Sequence, residues 1–484
     1  MAKTAIVSEV CPSRSAIASV SESIVTGPEF FRQFARVHLI GIGGAGMEGL
    51  ARILLQLGCG VSGSDREDSP VLDGLRLDGV VAHSGHAAVN VDGADLVIYS
   101  AAIPPDNTER VQAQRWQTEC MGRAQAVGCL VQGSDAIAVA GTHGKTTSAS
   151  MLAAVLSEAG AEPSVLIGGA IEGRIQAHLG SGTVFVCEAD EFDRSFLHIK
   201  PEVALVNNIE PEHLDTYESV DELHAAFGQF IASTRRCAVV NGDDPAVERI
   251  VSSTQFKVPA LSFGRGSHND YWADAIDLRA DGSSFVLRRQ QESLGTLFLN
   301  IPGLHNVLNA TGVAATADSV HTPFEAIRLG LSRFISVDRR LQTKGEVGGV
   351  LVIDDYAHHP TEIRAALESV GRLGRRIVTV FQPHLYSRTR GFYREFASAL
   401  SASDVVLLAS VYGSRESPSD GGDSDLIETS MRESGFDAVE FVPQRDALLT
   451  RMSQVSHSGD LVITMGAGDI GLLAEAFIEQ GAAT

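Results

Sequence analysis

From about residue 36 to the C-terminus, short apolar runs alternate with longer stretches of helical periodicity. Strand-length apolar runs fall at 37–40, 137–140, 184–187, 204–207, 350–353, 378–381, 405–410 and 461–464, and a more polar strand follows at 61–65. Between many of them lie roughly 10–15 residues with apolar positions spaced for one face of a helix. Alternation of this kind predicts an α/β protein with mainly parallel sheets. Three times the pattern restarts with a strand running into an unusual loop: 37–40 into 41–46, 137–140 into 141–145, and 350–353 into 354–360. Polar turn residues at 132–135 and a break at 336–340 then divide the chain. The expected division is an N-terminal extension (1–33), a Rossmann-like domain (34–134), a central domain with a P-loop ATPase-like, mostly parallel sheet (135–335), and a C-terminal Rossmann-like domain (336–484). Residues 417–425 read as an exposed acidic loop.

Composition narrows the classes of function. The chain has 484 residues, enough for about three domains. Hydrophobic residues at 44% and charged residues at 20% are ordinary for a globular chain. A formal net charge of −22 argues against nucleic acid as a partner. It also requires any phosphate site to be built locally, from backbone amides and a few placed cations. Six cysteines are scattered without a Cys-x-x-Cys pair, which excludes a zinc knuckle or disulfide framework and suits a reducing compartment. No apolar run reaches the ~18 residues of a membrane-spanning helix, and Glu9, Arg14 and Glu22 interrupt any secretory signal. A cytoplasmic protein without membrane insertion is expected.

The three loops carry the chemistry. Gly41-Ile42-Gly43-Gly44-Ala45-Gly46 joins a strand to a helix, as in folds that lay a diphosphate on a helix N-terminus. Asp65 ends the next strand, where such folds bind a ribose or base. A glycine turn used only for packing would look the same, and NAD is the common ligand of such turns. Gly141-Thr142-His143-Gly144-Lys145-Thr146-Thr147 has the parts of a mononucleotide phosphate loop, although Val139 stands where the first glycine is usual. Its amides would face phosphates, Lys145 would neutralise β/γ oxygens and Thr146 would reach Mg²⁺. Glu188, at a strand's carboxyl end beside that loop, is suited to the same ion. His213 is either a second metal ligand or a structural hydrogen-bonder. Asn306 and Asn309 lie three apart on one helix face, either capping the helix or contacting a nucleotide. Asp355-Tyr356-Ala357-His358-His359-Pro360 and Gln382-Pro383-His384-Leu385-Tyr386-Ser387-Arg388 both leave strand ends. There Arg388 could fork onto a carboxylate or phosphate, or serve as a surface ion-pair residue.

In order and across nearly the whole chain, these segments resemble the Mur ligases, which build the peptide stem of bacterial cell-wall precursors. The resemblance implies an ATP-dependent amide-forming ligase, with a UDP-sugar on the first domain, ATP on the second and an amino acid between the second and third. It is strongest to the branch that adds L-alanine to UDP-N-acetylmuramate. Gly41–Gly44 separates the chain from the ligases that recycle a whole tripeptide. Many sister ligases carry a metal-assisting lysine fourteen residues beyond His213, where this chain has Phe227. Implied catalytic residues are Lys145, Glu188, His213, Asn306, Arg340 and Asp355. Implied ATP contacts are Gly141, Thr142, His143, Gly144, Lys145, Thr146, Thr147, Asn306, Asn309, Arg340 and Asp355. The UDP-sugar would meet Gly43, Gly44, Ala45, Gly46, Ser64, Asp65, His86 and Ser100, and L-alanine would meet Tyr356, His358 and Arg388. Thr146, Glu188 and His213 would hold Mg²⁺, in a monomer or homodimer. Two positions depart from the usual pattern: Phe192, usually Ser, and Leu385, often Arg. A non-catalytic UDP-sugar-binding protein would share the fold, but the intact phosphate loop disfavours it. An NAD-dependent oxidoreductase would leave Gly141–Thr147 unexplained.

Overall fold

The computed structural model describes residues 26–212, 216–414 and 416–482. Three sheets follow one another along the chain, each with helices on both sides. The first is wholly parallel, in the order Val81–Ser84, Gly60–Asp65, Arg36–Ile40, Leu96–Tyr99, Glu119–Gly122. The strand order reverses beside Arg36–Ile40, so the first glycine loop lies at the crevice where open α/β sheets bind ligands.

The central sheet has ten strands. At its middle is Asp135–Ala140, flanked by Val203–Val206 and Val184–Glu188 in parallel register. Residues 136 to 140 are all buried, because this strand is covered on both faces, and the sequence there is accordingly an unbroken apolar run. Both ends of the sheet depart from the parallel expectation. Ser164–Ile171 and Arg174–His178 form an antiparallel hairpin at one end, and Tyr271–Leu278, Ser283–Arg289 and Glu292–Leu299 an antiparallel meander at the other. The third sheet runs Gln342–Val347, Val350–Asp355, Leu461–Met465, Ile377–Phe381, Val405–Leu408, Val439–Phe441, with only its first strand antiparallel.

The sheets change between 122 and 135 and between 299 and 342. The start of the packed chain needs revision. Helix Pro28–Arg32 buries Phe31 completely, and the amide of Gly27 donates to Cys129 O, so residues 27–33 belong to the first domain rather than to an extension. The acidic loop is also less free than expected at its far end. Ser424 is fully buried and hydrogen-bonded to Ala409 O, and the Asp423 carboxylate accepts from the Val411 amide. No helix among the described residues is long and apolar enough to cross a membrane.

Candidate active site

Strand Asp135–Ala140 delivers the chain into the loop at 141–144, and helix Lys145–Glu158 leaves it. Gly144 is the N-cap with φ 77°, and a Cβ there would lie 2.6 Å from Asn309 Oδ1. Glycine is therefore required both for the backbone and for the approach of Asn309. The loop is laced to the residues after strand Val203–Val206. The Thr142 amide donates to Asn208 O (3.0 Å), and the His143 amide to Asn208 Oδ1 (2.8 Å).

Lys145 Nζ sits 2.7 Å from Glu191 Oε2 and 3.8 Å from Asp190 Oδ1. Burial opposes its charge, but Glu191 and Asp190 outweigh it and raise the ammonium pKa. Burial in turn pushes the Glu191 carboxyl up to about 7, although Lys145 pulls it down. Glu188 accepts from the Gly168 amide (3.0 Å) and bonds the Thr146 hydroxyl, with burial raising its pKa. Glu188, Asp190 and Glu191 thus face a single lysine at the mouth of the loop, a surplus of carboxylate oxygens that fits a hard divalent cation. His213, the third predicted metal ligand, lies outside the described residues.

The central and third domains enclose a cavity of ≈ 250 Å³. Its lining includes His143, Gly144, Thr147, Asn306, Asn309, Arg340 and Asp355, so seven of the predicted ATP residues share one space. Gly303 caps the helix Leu304–Ser319 with no side-chain bond, and Asn306 Nδ2 donates to Pro302 O. Asn309 leans on the phosphate loop, so neither asparagine is the N-cap. Asp355 accepts from the Leu341 and Ala357 amides, both at 2.7 Å. Burial lifts its pKa to about 6 against the pull of Arg340.

The predicted amino-acid residues also converge. Tyr356 packs edge-on to His358 and lies under the guanidinium groups of Arg339 and Arg340. Arg388, buried, donates to Glu212 Oε1 (2.6 Å) and approaches His384 Nδ1 (3.3 Å). An incoming carboxylate would share this fork with Glu212. Leu385 is buried with φ 71° and caps helix Tyr386–Leu400. Phe227 is fully buried against Phe196, so the position of the sister ligases' lysine is here part of the core.

In the first domain, the Gly43 amide donates to Asp65 Oδ2 (2.8 Å), while those of Gly41 and Ile42 bond Ser64 O. The Ser64 hydroxyl bonds Glu109 (2.5 Å) and His86 Nδ1 (3.0 Å). A Cβ on Gly41 would touch the Ser100 side chain at 3.1 Å, so Ser64, Asp65, His86 and Ser100 all connect to this turn. Gly44 and Ala45 begin helix Ala45–Gln56, and a Cβ on Gly46 would lie 2.9 Å from an Arg123 nitrogen.

Four residues of consequence were not singled out from the sequence. Arg123 follows the carboxyl end of strand Glu119–Gly122, a position that could have flagged it. Glu109 is fully buried. Burial favours its neutral form, but the His38 ring 3.6 Å away and hydrogen bonds from Ser64 and Asn90 prevail and hold it at about 2. Glu210 and Glu362 meet His143 from two domains, at 3.7 and 3.4 Å. Burial opposes the His143 charge, yet the two carboxylates raise its pKa to about 10. Nothing local in the sequence marks that pairing.

Comparison with known proteins agrees with this geometry. Three family models cover the chain in order: "Mur ligase family, catalytic domain" over residues 36–135, "Mur ligase middle domain" over 139–317, and "Mur ligase, glutamate ligase domain" over 339–468. The chain is 41% identical over 450 residues to the UDP-N-acetylmuramate–L-alanine ligase of Salinibacter ruber, covering 92% of this chain and 94% of that one. Against the ligase of the same name from Thermobifida fusca it is 42% identical over 467 residues, with 94% and 98% covered. It is also similar to the crystal structure of UDP-N-acetylmuramate-alanine ligase from Thermotoga maritima. There the TM-score is 0.79 at 28% identity, over 93% of this chain and 99% of the other.

Proposed function

The chain belongs to the Mur ligase family, and from that premise we infer that it joins L-alanine to UDP-N-acetylmuramate, converting ATP to ADP and phosphate. The observation that carries this reading is the cavity in which the phosphate loop, Asn306 and Asn309 of the central domain face Arg340 and Asp355 of the third.

The lactyl carboxylate attacks the γ-phosphorus of ATP, giving an acyl phosphate and ADP. The amine of alanine then attacks the acyl carbon, and phosphate leaves. Such chemistry asks the protein for positioning and charge neutralisation rather than covalent help. Loop amides and Lys145 hold the β/γ oxygens, and the lysine stays cationic because Glu191 and Asp190 surround it. Thr146 and Glu188 would hold Mg²⁺, which supplies further charge neutralisation at the transferring phosphoryl group. Asn306, Arg340 and Asp355 enclose the nucleotide, while Gly43–Gly46 seat the diphosphate of the UDP-sugar, and Ser64 and Asp65 face its ribose or base. Tyr356, His358 and Arg388 receive alanine. A nucleotide-sugar and ATP as substrates support a cytoplasmic location.

The test is phosphate release with ATP, Mg²⁺, UDP-N-acetylmuramate and single amino acids. Release that depends on all components and is fastest with L-alanine is expected. Release only with a tripeptide, or none with any acceptor, would overturn the reading.

A further inference from the structure

His143 in the phosphate loop, Glu210 after strand Val203–Val206 and His359 at the start of helix Pro360–Gly371 each turn one donor atom into a common space, all within 4.8 Å of one another. His143 Nε2 lies 3.7 Å from Glu210 Oε2, and His359 Nδ1 lies 3.6 Å from the same oxygen. These gaps are too long for hydrogen bonds. They are close to the edge of a tetrahedral zinc site, about 3.3–3.4 Å for bonds of 2.0–2.1 Å. Nε2 of His143 is buried without a hydrogen-bond partner, and His359, only 4% exposed, presents Nδ1, which accepts just one long bond, from the Thr361 amide at 3.4 Å. An unsatisfied ring nitrogen in such a place is costly, and an ion on His143 Nε2 would relieve that cost.

The surroundings are those of a prepared metal site. His143 Nδ1 faces Glu362 Oε1 at 3.4 Å, the carboxylate partner that commonly orients a metal-bound imidazole. The Thr361 hydroxyl donates to Glu210 Oε2 at 2.7 Å, fixing the carboxylate ligand. Two imidazoles and one carboxylate with an open fourth position select zinc-like ions over Mg²⁺, which prefers an all-oxygen octahedron. The ligands are distinct from Thr146 and Glu188.

We propose that His143, Glu210 and His359 form a binding site for a zinc-type divalent cation that staples the third domain onto the phosphate loop. The ion takes the place of the proton that His143 otherwise carries between Glu210 and Glu362. Because two ligands come from the central domain and one from the third, occupancy holds the interdomain cleft shut and blocks nucleotide exchange.

The test uses the nucleotide-free full chain with saturating Mg²⁺, titrated with Zn²⁺ by equilibrium dialysis and with Co²⁺ by visible absorption. Wild type should take up one Zn²⁺ that Mg²⁺ does not displace, and show the Co²⁺ bands of a low-coordinate site. His359→Asn keeps a helix-capping side chain, and Glu210→Gln keeps the Thr361 acceptor. Each should weaken uptake at least 10-fold, and Glu362→Gln by about 10–100-fold. No uptake by wild type, or wild-type uptake by either ligand variant, overturns the site. A separate arm measures Zn²⁺ inhibition against ATP. That arm alone rests on the ligase reading, so a chain that binds Zn²⁺ yet shows no ligase activity would reject that reading and leave the site standing.

Discussion

Lys145 and Glu191 depend on each other. The lysine keeps its charge in a buried place because the carboxylate is 2.7 Å away, and the carboxylate is spared full neutralisation by the lysine. Lys145→Ala should therefore do two things. Turnover, read as phosphate release, should fall about 10²–10³-fold, the usual loss on removing one preorganised charge donor. Stability should also fall, by about 1–3 kcal/mol, since Glu191 is left buried without its cation. A stable variant with near-normal turnover would reject the nucleotide-site assignment. Glu109 poses a similar problem away from the reaction. Its carboxyl is held at about 2 rather than its usual 4.5. Its contribution, roughly 3 kcal/mol, is thus complete above pH 4.5 and lost as pH falls toward 2. Glu109→Gln should lower the unfolding midpoint at pH 7, and the gap to wild type should narrow by pH 3. Thermal scans across that range check it, and a gap independent of pH would contradict it.

Helices transmit these local demands between domains. Ala45–Gln56 starts at the glycine turn, and its Gly49 packs on the hairpin of the central sheet. A Cβ there would lie 2.9 Å from Leu166 Cδ1 and 3.2 Å from Ala177 Cβ. Gly49→Leu should overpack this contact, costing about 1–3 kcal/mol. It should also raise the KM for UDP-N-acetylmuramate several-fold by tilting the helix that faces the diphosphate. An unchanged KM and melting temperature would show that the helix does not couple the domains. Tyr386–Leu400 plays the matching part in the third domain by carrying Arg388 to Glu212. Arg388→Lys should raise the KM for L-alanine at least 10-fold, because an ammonium cannot reproduce the guanidinium's planar double grip. Preference for alanine over glycine should remain modest, since one methyl group is worth about 1–3 kcal/mol at most. Steady-state kinetics with L-alanine, glycine and L-serine test both statements. Identical constants for wild type and variant would remove Arg388 from the alanine site.

Across the whole molecule, closure of the third domain on the second rests on a buried polar network rather than on an apolar seam. Glu362 alone meets His143, His358 and Arg340, at 3.4, 3.2 and 3.4 Å. Its pKa is held well below 4.5, because the His358 ring and the charged His143 and Arg340 together overcome its burial. Glu362→Gln would remove the carboxylate that meets His143 across the cleft, costing the closed state about 1–3 kcal/mol. Small-angle scattering should then show a larger radius of gyration for the nucleotide-free chain, and turnover should drop about 10-fold or more. An unaltered scattering curve would locate closure elsewhere.

The linear order of apolar runs, glycine loops and polar strand ends was enough to specify three α/β units, the glycine loop at 141–144 and several residues that line the cavity between the second and third domains. Each of those signals is local: a strand buried on both faces must be apolar, and a loop cradling phosphate must be rich in glycine. Only the tertiary structure decided what depends on distant partners. The antiparallel ends of the central sheet, the packing of Phe31, the burial of Glu109 and the meeting of His143 with Glu210, Glu362 and His359 have no local signature. A carboxylate reads the same in sequence whether solvated or buried. Its charge state and its work are set by its neighbours in space, which for Glu362 include His143, more than two hundred residues away.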